Sequence, residues 1–343
     1  MNTKFYKNNN MRYFRSDDFN FNFNMENGHT IIWGNTIHND PEVAPFPIIC
    51  DMEITTICGG ISNYGPCKFC YKSNTLNGKY MPFEKAKKII DNLPEGITQI
   101  AFGVDAKLES NPDWYKIFKY SREKGIIPNV TVADITMETA KKIASVCGAV
   151  AVSRYDDKNI CYDSVQRLTD AGMKQTNMHL MISKETFQTA IETIDDINND
   201  ERLKSLNAVV FLSLKKKGRG EKYHPLSQKE FNVIVKLCLE KNIRFGFDSC
   251  SAHKFLNYIK DDSKLKHLAV YCEPCESSIM SSYINVDGEF FPCSFVEGTN
   301  GWESGIDVSE CTDFVEDVWL NPRVQNFRES LLMNKRNCSI FNI

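Results

Sequence analysis

An alternation of short apolar strands with amphipathic helices, running from about residue 47 to residue 262, most constrains the fold of this chain. Apolar residues recur at helical spacing between the strands, for example over 82–92 and 227–241. Strands alternating with helices of this length predict a parallel sheet with right-handed crossovers. About seven strands fall short of a closed eight-stranded barrel, so we predict an α/β fold with a partial (β/α)6-type barrel. The predicted strands are 51–56, 98–104, 129–133, 149–153, 176–182, 208–214 and 244–248.

Two further units flank the predicted barrel. Residues 1–46 are polar and aromatic and predict an irregular or short-stranded lead-in. The alternation stops near residue 262, so we assign 47–262 to the barrel and 263–343 to a small cysteine-rich C-terminal domain. Within that domain, residues 283–291 predict a β-hairpin that turns at Asp287-Gly288.

Charge and hydropathy narrow the functional classes. A formal charge of −3 argues against a general surface for nucleic acid or anionic membranes. The longest apolar runs are too short to cross a bilayer, and the first residues lack the apolar core of a signal peptide. We therefore expect a cytoplasmic protein.

The chain contains thirteen cysteines, an odd and high number for a cytoplasmic protein. Disulfides are unfavourable in that compartment, so metal binding is the main alternative to buried core thiols. Cysteines that stand alone in apolar segments are expected in the core. These are Cys50, Cys147, Cys161 and Cys238.

The first cysteine cluster, Cys58, Cys67 and Cys70, lies in a loop rich in glycine that directly follows the first predicted barrel strand. Active sites of such folds lie at the carboxyl ends of the strands, which places this loop at the mouth of the barrel. Three thiolates suit an iron–sulfur cluster with one iron left open, whereas a structural zinc site requires four ligands. On the three cysteines alone, zinc and iron–sulfur remain nearly equal alternatives.

These residues resemble the radical S-adenosylmethionine (SAM) superfamily, which carries three cysteines after the first strand of a partial barrel. The family spacing is Cys-x3-Cys-x2-Cys with an aromatic residue before the third cysteine; here the first spacing is eight residues, and Phe69 occupies the aromatic position. The resemblance implies that Cys58, Cys67 and Cys70 bind a [4Fe–4S] cluster whose open iron binds SAM. It also implies further SAM-binding residues at later strand ends. These are Gly103, Asp105, Ser153, Arg154 and Arg219.

The C-terminal cysteines resemble SPASM or twitch auxiliary domains. Twelve residues separate Cys275 from Gly288, and four residues separate Gly288 from Cys293. The resemblance implies one auxiliary [4Fe–4S] cluster held by four of five cysteines, with a zinc ribbon as the alternative. The five are Cys272, Cys275, Cys293, Cys311 and Cys338, and the first four are the preferred ligand set.

The function implied by the resemblance is reductive cleavage of SAM to a 5′-deoxyadenosyl radical, which abstracts hydrogen from a peptide, protein or small-molecule substrate. An electron donor such as flavodoxin or ferredoxin is expected as a partner. Asp248 and Cys250 end the last predicted strand and are candidate catalytic residues, although a structural Asp and a core Cys are equally compatible with the pattern. The alternative from another class is a non-enzymatic binding protein stabilised by zinc or iron–sulfur.

Overall fold

The structure is a computed structural model that describes residues 4–8, 10–299, 301–338, 340–341 and 343. The N-terminal segment forms a four-stranded antiparallel sheet in sequential order. Its phenylalanines Phe14, Phe21 and Phe23 are fully buried and pack with Phe46, because alternate residues of each strand face one side of the sheet. The strands are β1 (Lys4–Asn8), β2 (Met11–Arg15), β3 (Asn20–Asn24) and β4 (Thr30–Trp33).

Seven parallel strands form the centre of the molecule, in sequential order within one larger sheet. They are β5 (Ile49–Glu53), β6 (Gln99–Gly103), β7 (Ile127–Val132), β8 (Val150–Ser153), β9 (Thr176–Ile182), β10 (Ala208–Ser213) and β11 (Phe245–Phe247). Among the described residues β11 stays at the edge of the sheet and does not pair with a strand that would close a barrel. The predicted α/β fold with a partial barrel is confirmed.

Helices connect these strands, as the sequence predicts. They are α1 (Phe83–Asn92), α2 (Trp114–Glu123), α3 (Met137–Val146), α4 (Lys158–Asp170), α5 (Phe187–Asn199) and α6 (Gln228–Glu240), and α7 (Ala252–Ile259) follows β11. Local capping fixes their starts: Thr136 accepts a hydrogen bond from the Thr139 amide, and Ser227 with Glu230 forms a capping box at α6.

The C-terminal segment continues the central sheet. It contains β12 (Ser281–Ile284), β13 (Glu289–Phe291), β14 (Ile306–Asp307), a π-helical turn over Val315–Trp319 and α8 (Pro322–Met333). Strand β12 pairs in parallel with β5, so that Tyr283 lies opposite Asp51. Trp319 is fully buried and donates from Nε1 to the Ala44 carbonyl at 3.0 Å. The C-terminal cysteines are thereby carried alongside the first barrel strand.

None of the helices in the described part of the chain is both long enough and apolar enough to pass through a bilayer.

Candidate functional site

A cavity of about 530 Å³ lies at the carboxyl ends of the parallel strands. Its wall includes the strand-end residues Glu53, Gly103 and Ser153, together with thiols from both cysteine-rich parts of the chain. Parallel strands end on one edge of their sheet, so side chains far apart in sequence meet there. The cavity thus lies at the mouth of the partial barrel, where the sequence predicts the cysteine loop.

The cysteine loop, residues 58–70, is held in place by its own turns and by a distant arginine. Gly60 has φ +79°, and a Cβ there would lie 1.8 Å from the Gly65 carbonyl oxygen, so only glycine fits. Arg219 donates from Nε to the Cys67 carbonyl at 2.9 Å and from Nη1 to the Asn74 carbonyl at 3.1 Å. The guanidinium therefore braces the loop, and its predicted contact with SAM stays a prediction.

All three thiols of the cysteine loop are half-buried and line the cavity. A hydrogen bond from the Cys67 thiol to the Cys70 sulfur lowers the pKa of Cys70 to about 5 and raises the pKa of Cys67. Cys67 also interacts with the charge of Cys58. The ionisation of Cys67 thus depends on both of the other thiols in the loop.

Arg154 follows β8 and is 7% exposed. Its Nε and Nη1 atoms are buried and have no hydrogen-bond partner among the described residues, although the side chain lines the cavity. Leaving a buried donor unpaired costs free energy, more so when the group is charged. Because the side chain lines the cavity, an anionic ligand there, such as a carboxylate, would lie beside this cation. The neighbouring Ser153 also lines the cavity.

Gly103 and Asp105 differ in what they offer a ligand. Gly103 ends β6. A Cβ added at this residue would lie 3.2 Å from the Cα of Glu53 on the neighbouring strand. Asp105 is buried, and its carboxylate accepts hydrogen bonds from the amides of Glu109 and Ser110 and from the Ser110 hydroxyl at 2.7 Å. These bonds close the loop after β6, so Asp105 already has internal partners, and its role toward SAM stays a prediction.

Asp248 and Cys250, which follow β11, both line the cavity. The Asp248 carboxylate accepts from Lys215 Nζ and from the Ser213 amide at 3.2 Å. Burial alone would lower the pKa of Lys215, but Asp248 and Cys250 outweigh it and raise that pKa. Asp248 is therefore paired with a buried cation, and Cys250 lies beside the same cation. Their catalytic roles stay predictions.

The five predicted auxiliary ligands divide into two groups. Cys275, Cys293 and Cys338 line the cavity, and the charge of Cys338 acts on Cys275. The remaining two, Cys272 and Cys311, are absent from the cavity wall. The Cys272 thiol faces the Leu268 carbonyl at 3.6 Å, and the Cys311 thiol faces the Val308 carbonyl at 3.1 Å. Of the preferred four, Cys275 and Cys293 line the cavity, and the ligand set stays a prediction.

A buried network of charged and phenolic side chains lies between the two cysteine-rich regions, and the sequence reasoning missed it. Lys72 Nζ bonds the Tyr283 hydroxyl at 2.8 Å, pairs with Glu53 at 3.2 Å and contacts Glu297. Burial raises the pKa of Glu53, and Lys72 partly offsets this. The signal in the sequence was Glu53, a charged residue that ends the strand preceding the cysteine loop.

Among the described residues no three His, Cys, Asp or Glu side chains converge tightly enough to hold a single metal ion. In an iron–sulfur cluster each thiolate binds a different iron, so the sulfurs surround the cluster and need not meet at one point. Three half-buried thiols, a cavity and unpaired Arg154 donors fit a cluster and its anionic ligand.

The fold is similar to that of SuiB from Streptococcus suis, a radical SAM enzyme. A structure of SuiB bound to the precursor peptide SuiA has a TM-score of 0.64 and 14% identity, and the match covers 83% of this chain and 67% of SuiB. SuiB bound to S-adenosylmethionine gives a TM-score of 0.62 and 14% identity over 83% of this chain and 68% of SuiB. No protein-family model matches the chain, and no curated protein matches it by sequence. The predicted resemblance to radical SAM enzymes is confirmed at the level of the fold.

Proposed function

We propose that this chain, which has the fold of a radical SAM enzyme, cleaves SAM reductively and uses the resulting radical to abstract hydrogen from a substrate. The observation that carries the proposal is the cavity at the strand ends. Its lining includes Cys58, Cys67 and Cys70 together with Arg154, whose Nε and Nη1 are buried without a hydrogen-bond partner among the described residues. Soft sulfur ligands and a buried cation without a partner are what a cluster and a carboxylate ligand require.

Each of the cavity residues would have a separate role in binding the cluster or SAM. Cys58, Cys67 and Cys70 would hold a [4Fe–4S] cluster, which when bound supplies the electron that converts SAM to methionine and a 5′-deoxyadenosyl radical. Arg154 would bind the methionine carboxylate of SAM through a charge-assisted hydrogen bond, because its guanidinium lies beside the cavity and keeps N–H groups that are unpaired among the described residues. Gly103, which has no side chain, leaves the end of β6 open to a ligand.

The cavity has room to bring a substrate and SAM close together. Peptide modification is the substrate class that we favour, since SuiB, the similar structure, is bound to a precursor peptide. A small molecule is the alternative. An external one-electron donor such as flavodoxin or ferredoxin would reduce the cluster.

Anaerobic reconstitution with iron and sulfide tests the proposal. The expected result is a broad brown absorbance, followed by dithionite-dependent release of 5′-deoxyadenosine from SAM. Replacement of Cys58, Cys67 and Cys70 by Ala should abolish that release, whereas the matched control Cys161→Ala in the buried core of α4 should retain it. Cleavage that survives the triple substitution would refute the assignment. Protein that binds iron or zinc but never cleaves SAM would instead favour the non-enzymatic binding protein.

A further inference from the structure

The turn over residues 217–220, which lies between β10 and α6, packs directly against the cysteine loop. The Arg219 amide donates to the Cys70 carbonyl at 3.0 Å and to the Ser73 hydroxyl at 3.0 Å. The Arg219 side chain donates from Nε to the Cys67 carbonyl at 2.9 Å. One residue of the turn therefore holds the backbone at two of the three predicted cluster ligands.

The close approach between the turn and the cysteine loop requires glycine at position 218. Gly218 has φ +56°, and a Cβ added there would lie 2.4 Å from the Tyr71 carbonyl oxygen and 2.8 Å from the Cys70 carbonyl oxygen. Both distances are too short for a real side chain, which would also disfavour this φ. Because the residue before it has no side chain, Arg219 can reach the loop with its own amide.

The same turn also contacts residues 293–297, a segment that follows β13. Lys217 donates from Nζ to the Phe295 carbonyl at 3.1 Å and to the Glu297 carbonyl. The Phe295 ring packs on the ring of Tyr71, directly after the cysteine loop, with 4.4 Å between the ring centroids. The turn, the end of the cysteine loop and the 293–297 segment therefore form one junction, in which each contacts the other two.

The cysteine loop depends on such outside contacts for its shape. No helix or strand lies among its residues, all of which the structure describes. Hydrogen bonds around metal ligands fix the orientation of those ligands. The Nε and Nη1 groups of Arg219 both donate to backbone carbonyls there, whereas the same atoms of Arg154 have no partner among the described residues. Arg219 thus makes the contacts expected of a group that shapes the loop.

We propose that Arg219 is a positioning residue that holds the cysteine loop in the shape that binds the cluster, and that Lys217 makes this shape depend on the docked 293–297 segment. The inference rests on the proposed function in taking the cysteine loop as the cluster site. It assigns the Arg219 side chain to the loop in place of a contact with SAM. Loosening the 293–297 segment should therefore loosen the cysteine loop, although the two are more than two hundred residues apart in the chain.

Amide hydrogen exchange of the full metal-free chain, read by peptide mass spectrometry, tests the positioning role. Arg219→Gln removes charge-assisted bonds, so peptides that cover residues 58–74 should exchange at least about tenfold faster. Peptides from β9 should keep their rate, which separates this local effect from global unfolding. The matched control is Lys216→Met at the exposed neighbour of Lys217, which should leave the exchange unchanged. Unchanged exchange over residues 58–74 in Arg219→Gln would overturn the inference.

Lys217→Met tests the coupling and leaves the contacts of Arg219 in place. Peptides that cover residues 293–297 should exchange faster, and so should those that cover residues 58–74, which the Lys217 ammonium does not bond. Faster exchange confined to the 293–297 segment would show that the cysteine loop keeps its shape without that segment and would overturn the coupling.

SAM binding separates a positioning role of Arg219 from a direct contact. In reconstituted protein of equal iron content, Arg219→Gln should leave the Kd for SAM unchanged and should lose iron to EDTA at least about tenfold faster than the unsubstituted protein. A raised Kd with unchanged loss of iron would instead assign Arg219 to SAM and overturn the inference. Hydrogen exchange requires neither a cluster nor SAM cleavage, so this inference and the proposed function fail separately.

Discussion

Replacing Lys72 by Met should destabilise the protein strongly, because it leaves two carboxylates without their buried counter-charge. The Lys72 side chain is 12% exposed and lies among Glu53, Glu297 and the Tyr283 hydroxyl. Methionine has nearly the same volume and shape, so packing is kept and only the positive charge is lost. Two carboxylates would then share a buried site without a counter-charge.

The structure gives the magnitude. Removing one partner of a buried ion pair costs about 3–5 kcal/mol, because it leaves the other charge uncompensated. Glu297 is 24% exposed and also accepts from Asn285 at 3.0 Å, so its charge is partly solvated. We therefore expect the lower end of that range, about 3 kcal/mol. Since Lys72 keeps the pKa of Glu53 from rising further, the variant should lose more stability as the pH increases.

Urea unfolding of the metal-free protein at neutral pH, under anaerobic conditions, measures this loss. The matched control is Lys79→Met, which breaks an ion pair to Asp287 at the turn between β12 and β13. In this pair 60% of the lysine side chain is exposed. That change should cost about 0–1 kcal/mol. The double change Lys72→Met with Glu53→Gln should recover part of the stability. Equal losses for Lys72→Met and Lys79→Met, or no recovery in the double variant, would refute the reasoning.

Three other outcomes follow from the site. Arg154→Met should raise the Kd for SAM at least about tenfold, the effect of one charge-assisted hydrogen bond, in equilibrium dialysis of the reconstituted protein, and Arg154→Lys should recover it only in part. Burial lowers the pKa of His179 to about 4. Folding stability should therefore fall as the pH drops from about 6.5 towards 4, and His179→Asn should flatten this dependence of Tm on pH. Gly60→Ala should reduce the iron bound by the cysteine loop, because the added Cβ meets the Gly65 carbonyl, whereas Gly28→Ala, also at positive φ but with nothing within 4 Å, should not change the iron content.

The strands and helices of the barrel could be predicted because the spacing of their apolar residues indicates which face is buried. The predicted strand 176–182 coincides with β9, and the predicted helix 227–241 extends one residue beyond each end of α6. Periodicity and capping are local properties, so they can be read without knowing the partners. The sequence analysis does not predict α7. This helix has only eight residues and directly follows the turn after β11, so it offers little periodicity.

The pairing of the C-terminal segment could not be predicted in the same way. The hairpin turn at Asp287-Gly288 is a local signal, and the structure has it. That β12 would join β5 in parallel, and so carry Tyr283 to Glu53, depends on contacts more than two hundred residues apart in the chain. No pattern within either segment encodes that choice.

The sequence by itself determined the chemistry available to this protein: three cysteines after the first barrel strand, basic residues at later strand ends, and a second group of cysteines beyond the barrel. Those are properties of residue type and spacing. Only the tertiary structure decided which of these side chains share a cavity. Among the described residues it leaves Nε and Nη1 of Arg154 without a hydrogen-bond partner, and it turns Arg219 onto the cysteine loop. The physical reason is that strand pairing and burial act between distant segments, so the surroundings of a thiol or a guanidinium are fixed by whatever packs against it.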